Sequence, residues 1–443
     1  MRKYSHDVVV RVRIPHRPGQ LARFAETVAK AGGLIGDIAS VAFGEGDTVR
    51  DVTLECDDEA HVQRVVDAVR SLEGIEVRDV IDRVFECHRG GKIQSVGRVR
   101  VEQVSDLRYV YTPGVARVCR AIEKDPERAW EFTTLGRSVG IFTNGSRVLG
   151  LGDIGPVASL PVMEGKALLY DRFAGVSATP LLVDTHDAAR FIDAVVLLSR
   201  SFGAIHLEDI RIPECFEIEA EIDRRVDKPV MHDDQHGTAT VALAALLNAC
   251  RATGLDPRAA RLGQIGLGAA GSAIARLALA WGVREVMVAD VSPAAVARMV
   301  AMGATAADLP TVMQHCDIVM LTTGRPGLVT PSMVRKGQVL FALSNPDPEI
   351  QPDDALAAGA AYAGDGRSIN NALAYPGIFR GALQVRSRSI TPAMLLAAAE
   401  AIADCASPGE LVPSPFHPRV HDDVTAAVVR VARAAGLEHT ARV

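Results

Sequence analysis

The sequence predicts an α/β protein built in three parts: a small β-α-β-β-α-β module, a mixed α/β middle and a doubly wound parallel sheet. Three observations carry that expectation. With 443 residues the chain is too long for one typical hydrophobic core. Its first 85 residues switch between period-two and helical spacing of apolar side chains. Its second half alternates apolar strands with helices around a glycine fingerprint, Gly266-Leu267-Gly268-Ala269-Ala270-Gly271.

Residues 7–14 (DVVVRVRI) alternate apolar and polar side chains, as a half-buried strand does. PHRPGQ turns the chain, and Leu21, Phe24, Ala25, Val28 and Ala29 recur at helical spacing. Residues 34–43 and 48–56 read as strands joined by the turn GEGD. Val62, Val65, Val66 and Val69 line one face of a second helix, and residues 77–85 close the module as a strand. Residues 86–97 are polar and contain glycine, and read as a linker. Residues 98–229 form a mixed segment with several glycine-rich turns. The last domain, 230–443, alternates strands at 261–265, 285–290, 317–322 and 338–344 with helices at 269–281 and 293–302. Its tail holds Pro413 and Pro415, then a terminal helix near 424–435.

Bulk composition removes some functions. The chain is 48% hydrophobic and 23% charged, ordinary for a globular protein. Its formal charge of -6 gives no reason to expect nucleic-acid or membrane partners. Seven scattered cysteines without a C-x-x-C pair read as reduced thiols in a cytoplasmic protein. The N-terminus has no apolar signal core, and the apolar runs are too short to span a bilayer.

The chemistry concentrates in the second half. The fingerprint follows an apolar strand and opens a helix, the setting of a dinucleotide site. Gly266 permits the tight turn, Gly268 lets the backbone approach a pyrophosphate, and Gly271 lets helix and strand pack closely. Ala269 and Ala270 present N–H groups at the helix start. Asp290 closes the next strand, placed to accept from a ribose 2′-hydroxyl, which favours NAD over NADP. Arg298 is nearby and keeps NADP open. Glu208, Asp209 and Asp234 offer oxygens to Mg²⁺ or Mn²⁺, although adjacent acids also occur solvated at loop ends. His232 and His236 flank Asp233 and Asp234 with no thiols near, so they read as orienting or packing groups rather than zinc ligands. Taken singly, Lys166 reads as a solvated lysine and Tyr111 as a packed aromatic.

The strings YTPGVA, VLGLGDIGP, PVMEGKA, FGAIHLEDI, P-x-CFEIE, HDDQHGTA, GLGAAG, FALSNPDPEI and YPGIFRGAL, taken in order, resemble the malic enzymes, most closely their small bacterial class. The resemblance implies a Rossmann-type NAD(P) domain behind a mixed substrate domain. It also implies malate as substrate, pyruvate and CO₂ as products, and Mg²⁺ or Mn²⁺ with NAD or NADP as cofactors. Glu208, Asp209 and Asp234 would then be the metal ligands. Lys166 would be the base, its pKa lowered by burial and a nearby cation, with Asp233 positioning it and Tyr111 as the general acid. Arg147 would grip a malate carboxylate. Asn345 and Asn371 would contact substrate and nicotinamide. The first 85 residues, with Pro18-Gly19 after the first strand, resemble the ACT regulatory domain. That implies pairing across a homodimer, or a larger homo-oligomer, and a small effector such as an amino acid around residues 17–20.

One departure stands out. Where the family reads GRSDYPNQVNN, this chain reads GRSINN, several residues shorter between Ser368 and Asn370. Two other functions stay open on sequence: conversion of malate to lactate without net redox, and a ligand sensor whose catalytic half has decayed.

Overall fold

The computed structural model describes residues 6–148 and 150–439, the side chain of Ser368 aside. The chain divides into two compact units, Met1–Gln94 and Ser95–Val443. The break falls inside the expected linker.

In the first unit β1 (His6–Pro15) leads to α1 (Gln20–Lys30), β2 (Leu34–Phe43), β3 (Asp47–Cys56), α2 (Glu59–Arg70) and β4 (Glu76–Asp82). The antiparallel sheet has the order β2-β3-β1-β4, a ferredoxin-like arrangement. Alternation decides its faces. Val8, Val10, Val12 and Ile14 of β1 and Val52 and Leu54 of β3 are buried with Phe24 and Val28 of α1 and Val65 and Val69 of α2. The odd-numbered residues of β1 point the other way and form cross-strand ion pairs, Arg11 with Asp51 at 2.7 Å and Arg13 with Asp47. The expected last strand ends early. Asp82 turns its carboxylate onto the amides of Val84 and Phe85, capping a short helix, α3 (Arg83–His88).

The second unit opens with short helices, α4 (Leu107–Val110), α5 (Val115–Lys124) and α6 (Ala129–Phe132). Then come β5 (Ser138–Thr143), α7 (Gly155–Ala174), β6 (Ser177–Leu182), α8 (Ala188–Leu198), β7 (Ala204–Leu207), α9 (Glu214–Arg225) and β8 (Val230–His232). These strands make a parallel sheet of order β6-β5-β7-β8. The strand at 230–232 therefore closes this sheet instead of opening the nucleotide domain. Its sequence, VMH, is too short for periodicity to reveal it.

A long helix, α10 (Asp233–Thr253), leads out of this sheet. Ala239 to Leu247 are buried along its whole circumference, so α10 is an internal element rather than an amphipathic cover. It packs on α11 (Ala269–Trp281). The nucleotide half continues with β9 (Arg261–Ile265), which precedes α11, then β10 (Glu285–Ala289), α12 (Pro293–Ala301), β11 (Thr305–Ala306), α13 (Leu309–His315) and β12 (Ile318–Leu321). It ends with β13 (Val339–Ala342), α14 (Pro352–Ala357), β14 (Tyr362–Asp365), α15 (Tyr375–Gln384), α16 (Pro392–Asp404) and α17 (Val420–Ala434). Its six parallel strands run β11-β10-β9-β12-β13-β14, the doubly wound order with the switch between β9 and β12. Among the described residues no helix is long and apolar enough to cross a membrane.

Candidate active site

Both parallel sheets direct the carboxyl ends of their strands into one cleft of about 520 Å³, lined by Arg147, Asp234, Gly268, Gly271, Asn345 and Asn371 among others. Loops at strand ends bring these groups together, because a parallel sheet leaves its crevice there. Arg147 follows β5, Glu208 and Asp209 follow β7, and Asp233 and Asp234 form the first turn of α10. The helix dipole favours carboxylates in that turn.

Lys166, on α7, is buried and joins the cleft-lining Asn371 through Asp233. Its Nζ donates to Asp233 Oδ2 at 2.5 Å and lies 3.1 Å from Glu208 Oε1. Asn371 Nδ2 donates to the same Asp233 oxygen at 2.6 Å. The shortened loop before it therefore still delivers Asn371 to the cluster. The Lys166 ammonium also faces the Tyr375 ring, 4.9 Å from its centre. Burial works to lower the pKa of Lys166, but Asp233 and Glu208 outweigh it and hold the lysine well above its ordinary value. Burial alone therefore does not produce the expected lowering: within the protein's own field, with no cation beside it, the ammonium is the stable form.

Glu208, Asp209 and Asp234 present oxygens that all lie within 4.8 Å of one another. Burial first, and then the neighbouring carboxylates, push the pKa values of Glu208 and Asp209 upward. Asp209 Oδ2 is buried without a hydrogen-bond partner among the described residues. A hard divalent cation with oxygen ligands fits this set, since it would compensate both the repulsion and the orphaned oxygen. Asp209 adopts a left-handed backbone, φ 53°. That conformation costs about 1–3 kcal/mol in a non-glycine residue, and here it closes a knot. The Asp209 amide donates to Asp234 Oδ2 at 3.1 Å, and its carbonyl accepts from Arg147 N at 3.0 Å. A second group, His206, Glu208 and Asp233, also converges. There the Lys166 ammonium already supplies the positive charge.

Several positioning groups had no role in the sequence reading. His206 Nε2 meets Glu208 Oε2 at 2.5 Å and its Nδ1 meets Tyr170 OH at 2.9 Å. With Glu208 ionised, as it would be when a cation is bound beside it, the carboxylate only accepts, so Nε2 carries the proton and Tyr170 donates to Nδ1. Glu219, on α9, accepts from His232 N at 2.7 Å, Gln235 Nε2 at 3.0 Å and His236 Nε2 at 3.0 Å, pinning the start of α10. Burial would raise the Glu219 pKa, yet His236 and His232 outweigh it and hold it at about 2. Gly237 is required one turn after Asp233: a Cβ there would lie 1.8 Å from Asp233 Oδ1. Glu219, Gly237 and Tyr375 sit inside strings already singled out, but nothing in their spacing assigns them partners.

The nucleotide loop has the expected build. Gly266 has φ +88°, and a Cβ on Gly271 would lie 1.9 Å from Gly266 O. Gly268 caps α11, with Ala269 and Ala270 in its first turn and no side chain satisfying their amides. Asp290 lies just past β10 and accepts from Leu267 N at 2.6 Å and Ser292 N at 2.7 Å, so it also fixes the loop. Arg298 sits 5.0 Å over the Phe216 ring. Asn345, after β13, lines the cleft beside Gly366. The structure does not bring Tyr111 to Lys166: it is 69% exposed, between α4 and α5, with no hydrogen bond to the cluster among the described residues.

Comparison with known proteins agrees with this layout. Residues 91–190 match the malic enzyme N-terminal domain and residues 334–436 the malic enzyme NAD binding domain. Residues 235–326 match the NAD binding domain of D-isomer specific 2-hydroxyacid dehydrogenases. The chain is 50% identical to NAD-dependent malic enzyme 1 of Bacillus subtilis (strain 168), over 95% of this chain and 96% of that protein. It is 41% identical to a bifunctional malic/malolactic enzyme of the same organism, over 78% and 91%. The crystal structure of a malic enzyme from Pyrococcus horikoshii superposes with a TM-score of 0.77 at 38% identity, covering 81% of this chain and 92% of that one.

Two outcomes follow from the geometry. In Gly237→Ala the methyl displaces the Asp233 carboxylate, so kcat should fall about 10²-fold. Far-UV circular dichroism should stay near wild type, because alanine suits a helix better than glycine, while the unfolding temperature should fall as Lys166 loses its buried partner; unchanged kcat would remove the constraint. For Glu219, a pKa of about 2 folded against about 4.3 unfolded means stability present above the higher value and lost as pH falls toward the lower. Urea midpoints of the wild type should therefore drop more steeply than those of Glu219→Gln between about pH 4.5 and 2. Parallel profiles would contradict the role.

Proposed function

This chain belongs to the malic enzymes, and from that premise we propose how its cleft carries out the reaction. The protein converts malate to pyruvate and CO₂ with reduction of NAD(P)⁺. What supports a working site in this chain is the buried Lys166–Asp233–Asn371 cluster beside Glu208, Asp209 and Asp234.

Arg147 holds a carboxylate of malate at the mouth of the cleft. Lys166 Nζ, as the free amine once positive charge at Glu208, Asp209 and Asp234 weakens the carboxylates' hold on its proton, would take the proton of the C2 hydroxyl; the dinucleotide seated by the glycine loop would supply the hydride acceptor. Asp233 and Asn371 hold Lys166 in line, and Tyr375 closes its far side. When bound by Glu208, Asp209 and Asp234, Mg²⁺ or Mn²⁺ supplies positive charge that offsets those carboxylates and polarises the substrate oxygen. Asn345 and the Gly266–Gly271 loop seat the dinucleotide. Asp290 supports NAD as the preferred form, since a 2′-phosphate would face its carboxylate. The buried cluster is complete, which disfavours a decayed sensor, and the malate-to-lactate reading has no observation of its own here.

Tyr111 is the acid that returns a proton to C3. Its exposed flank, with Val104, Leu107 and Tyr109 beside it, fits coverage in a homo-oligomer. The N-terminal unit acts as a regulatory domain that pairs across that assembly and takes a small effector. A cytoplasmic setting fits seven cysteines that are all unpaired.

With L-malate and Mn²⁺, reduced nicotinamide should accumulate in step with pyruvate, faster with NAD⁺ than with NADP⁺. Lactate without reduced nicotinamide would support the non-redox alternative. Lys166→Ala should lower kcat by about two to four decades, and near-normal turnover would end its assignment as base. Sedimentation should give a dimer or larger species; a monomer that turns over malate at full rate would remove the oligomer reading.

A further inference from the structure

We propose that the N-terminal unit binds a small dianion, a phosphate monoester or a dicarboxylate, in a cavity between the β1–α1 turn and β3. The inference rests on the reading of this unit as regulatory, and it replaces the amino acid expected as effector. The cavity holds about 280 Å³, with Ile14 and Leu21 as apolar wall and His16, Arg17, Thr48 and Arg50 as polar lining. That volume admits a metabolite of a few carbons.

Charge placement selects the ligand. On β3 the side chains of Thr48, Arg50, Val52 and Leu54 share the helix-covered face, and all but Arg50 are buried. Arg50 therefore stands half-buried beside the core, in register with Val12. Among the described residues it has no carboxylate partner, and neither has Arg17 in the turn. The acids that neighbour Arg50 on the strand are committed elsewhere, Asp51 to Arg11 and Asp47 to Arg13, both on the open face. A guanidinium cannot shed its charge, and leaving one half-buried without an anion is unfavourable.

The rest of the wall adds donors and no negative charge. His16 Nδ1 engages Thr48 Oγ1 at 3.0 Å. Gly19, at φ +83°, starts α1, whose first turn has neither a side-chain cap nor an acidic residue. Among the described residues no Asp or Glu lines the cavity. An amino acid would bring an ammonium group that no carboxylate among the described lining residues balances. A dianion meets two planar guanidinium forks, each suited to paired oxygens.

The test is calorimetry on the full-length protein with glycerol 3-phosphate, succinate and L-alanine, in wild type, Arg50→Gln and Arg17→Gln. One or both dianions should bind the wild type, with affinity about tenfold or more weaker in each variant, the loss expected for a charge-assisted contact. The arm that shows this loss identifies the phosphate ester or the dicarboxylate; succinate bound in the catalytic cleft would be unaffected by either substitution. Arg17 lies on an exposed turn, so its loss cannot be ascribed to misfolding, and kcat on malate without effector should be unchanged in both variants. Dianion binding insensitive to both substitutions, no dianion binding, or L-alanine binding more tightly than either dianion and lost in Arg50→Gln, would each overturn the proposal. Arginine-dependent dianion binding that leaves malate kinetics unaltered would uphold the site and overturn only its regulatory use.

Discussion

A lysine ammonium buried between two carboxylates is the constraint on which this architecture depends. Lys166 reaches Asp233 and Glu208 from three separate elements, α7, α10 and the end of β7. None of these charges is tolerable alone at that depth, because removing one partner leaves the others uncompensated. The elements must therefore meet in one geometry. The supporting residues share that task. Glu219 fixes where α10 begins, Gly237 leaves room for Asp233, and Tyr170 fixes the His206 tautomer that holds Glu208.

The same cluster explains why the lysine needs more than burial to become a base. Burial lowers its pKa, but the carboxylates win. Two further acids, Asp209 and Asp234, bring oxygens within 4.8 Å of a Glu208 oxygen, so Glu208 is common to both groups. Any positive charge received there weakens the field that holds the proton on Lys166. The raised carboxylates and the raised lysine are thus two sides of one electrostatic balance, shifted by ligands.

How much of this could be read in advance depended on length scale. The βαββαβ module and the Gly266–Gly271 turn were legible because apolar periodicity and glycine placement report local backbone directly. The first parallel sheet was not. Strands such as 204–207 and 230–232 are short and buried on both faces, so they carry no alternation. The acids were legible as a cluster, since Glu208–Asp209 and Asp233–Asp234 are adjacent in sequence. Their division of labour was not, because it comes from which strand end faces Lys166. Asn371 lay behind a loop several residues short of its relatives, yet it bonds to Asp233. Arg298 read as a possible phosphate ligand from position alone; its place over the Phe216 ring comes from α9, which spacing does not reveal. Tyr111 stood in a recognisable string but remains exposed, since a string says nothing of what covers it.

The N-terminal unit shows the same physics with the opposite outcome. In the catalytic half, the buried Lys166 ammonium finds its partners within the chain. In the small sheet, acids and bases pair across the open face, where water already screens them and each pair adds little. On the covered face, where a partner would matter most, Arg50 has none. A sheet that served only as a core would place an apolar side chain opposite Val12, as it places Val52 opposite Val10. Retaining a guanidinium there sacrifices stability in the free unit. A compensating charge arriving from outside would offset that cost, and the strength of its binding would depend on the same partial burial of Arg50.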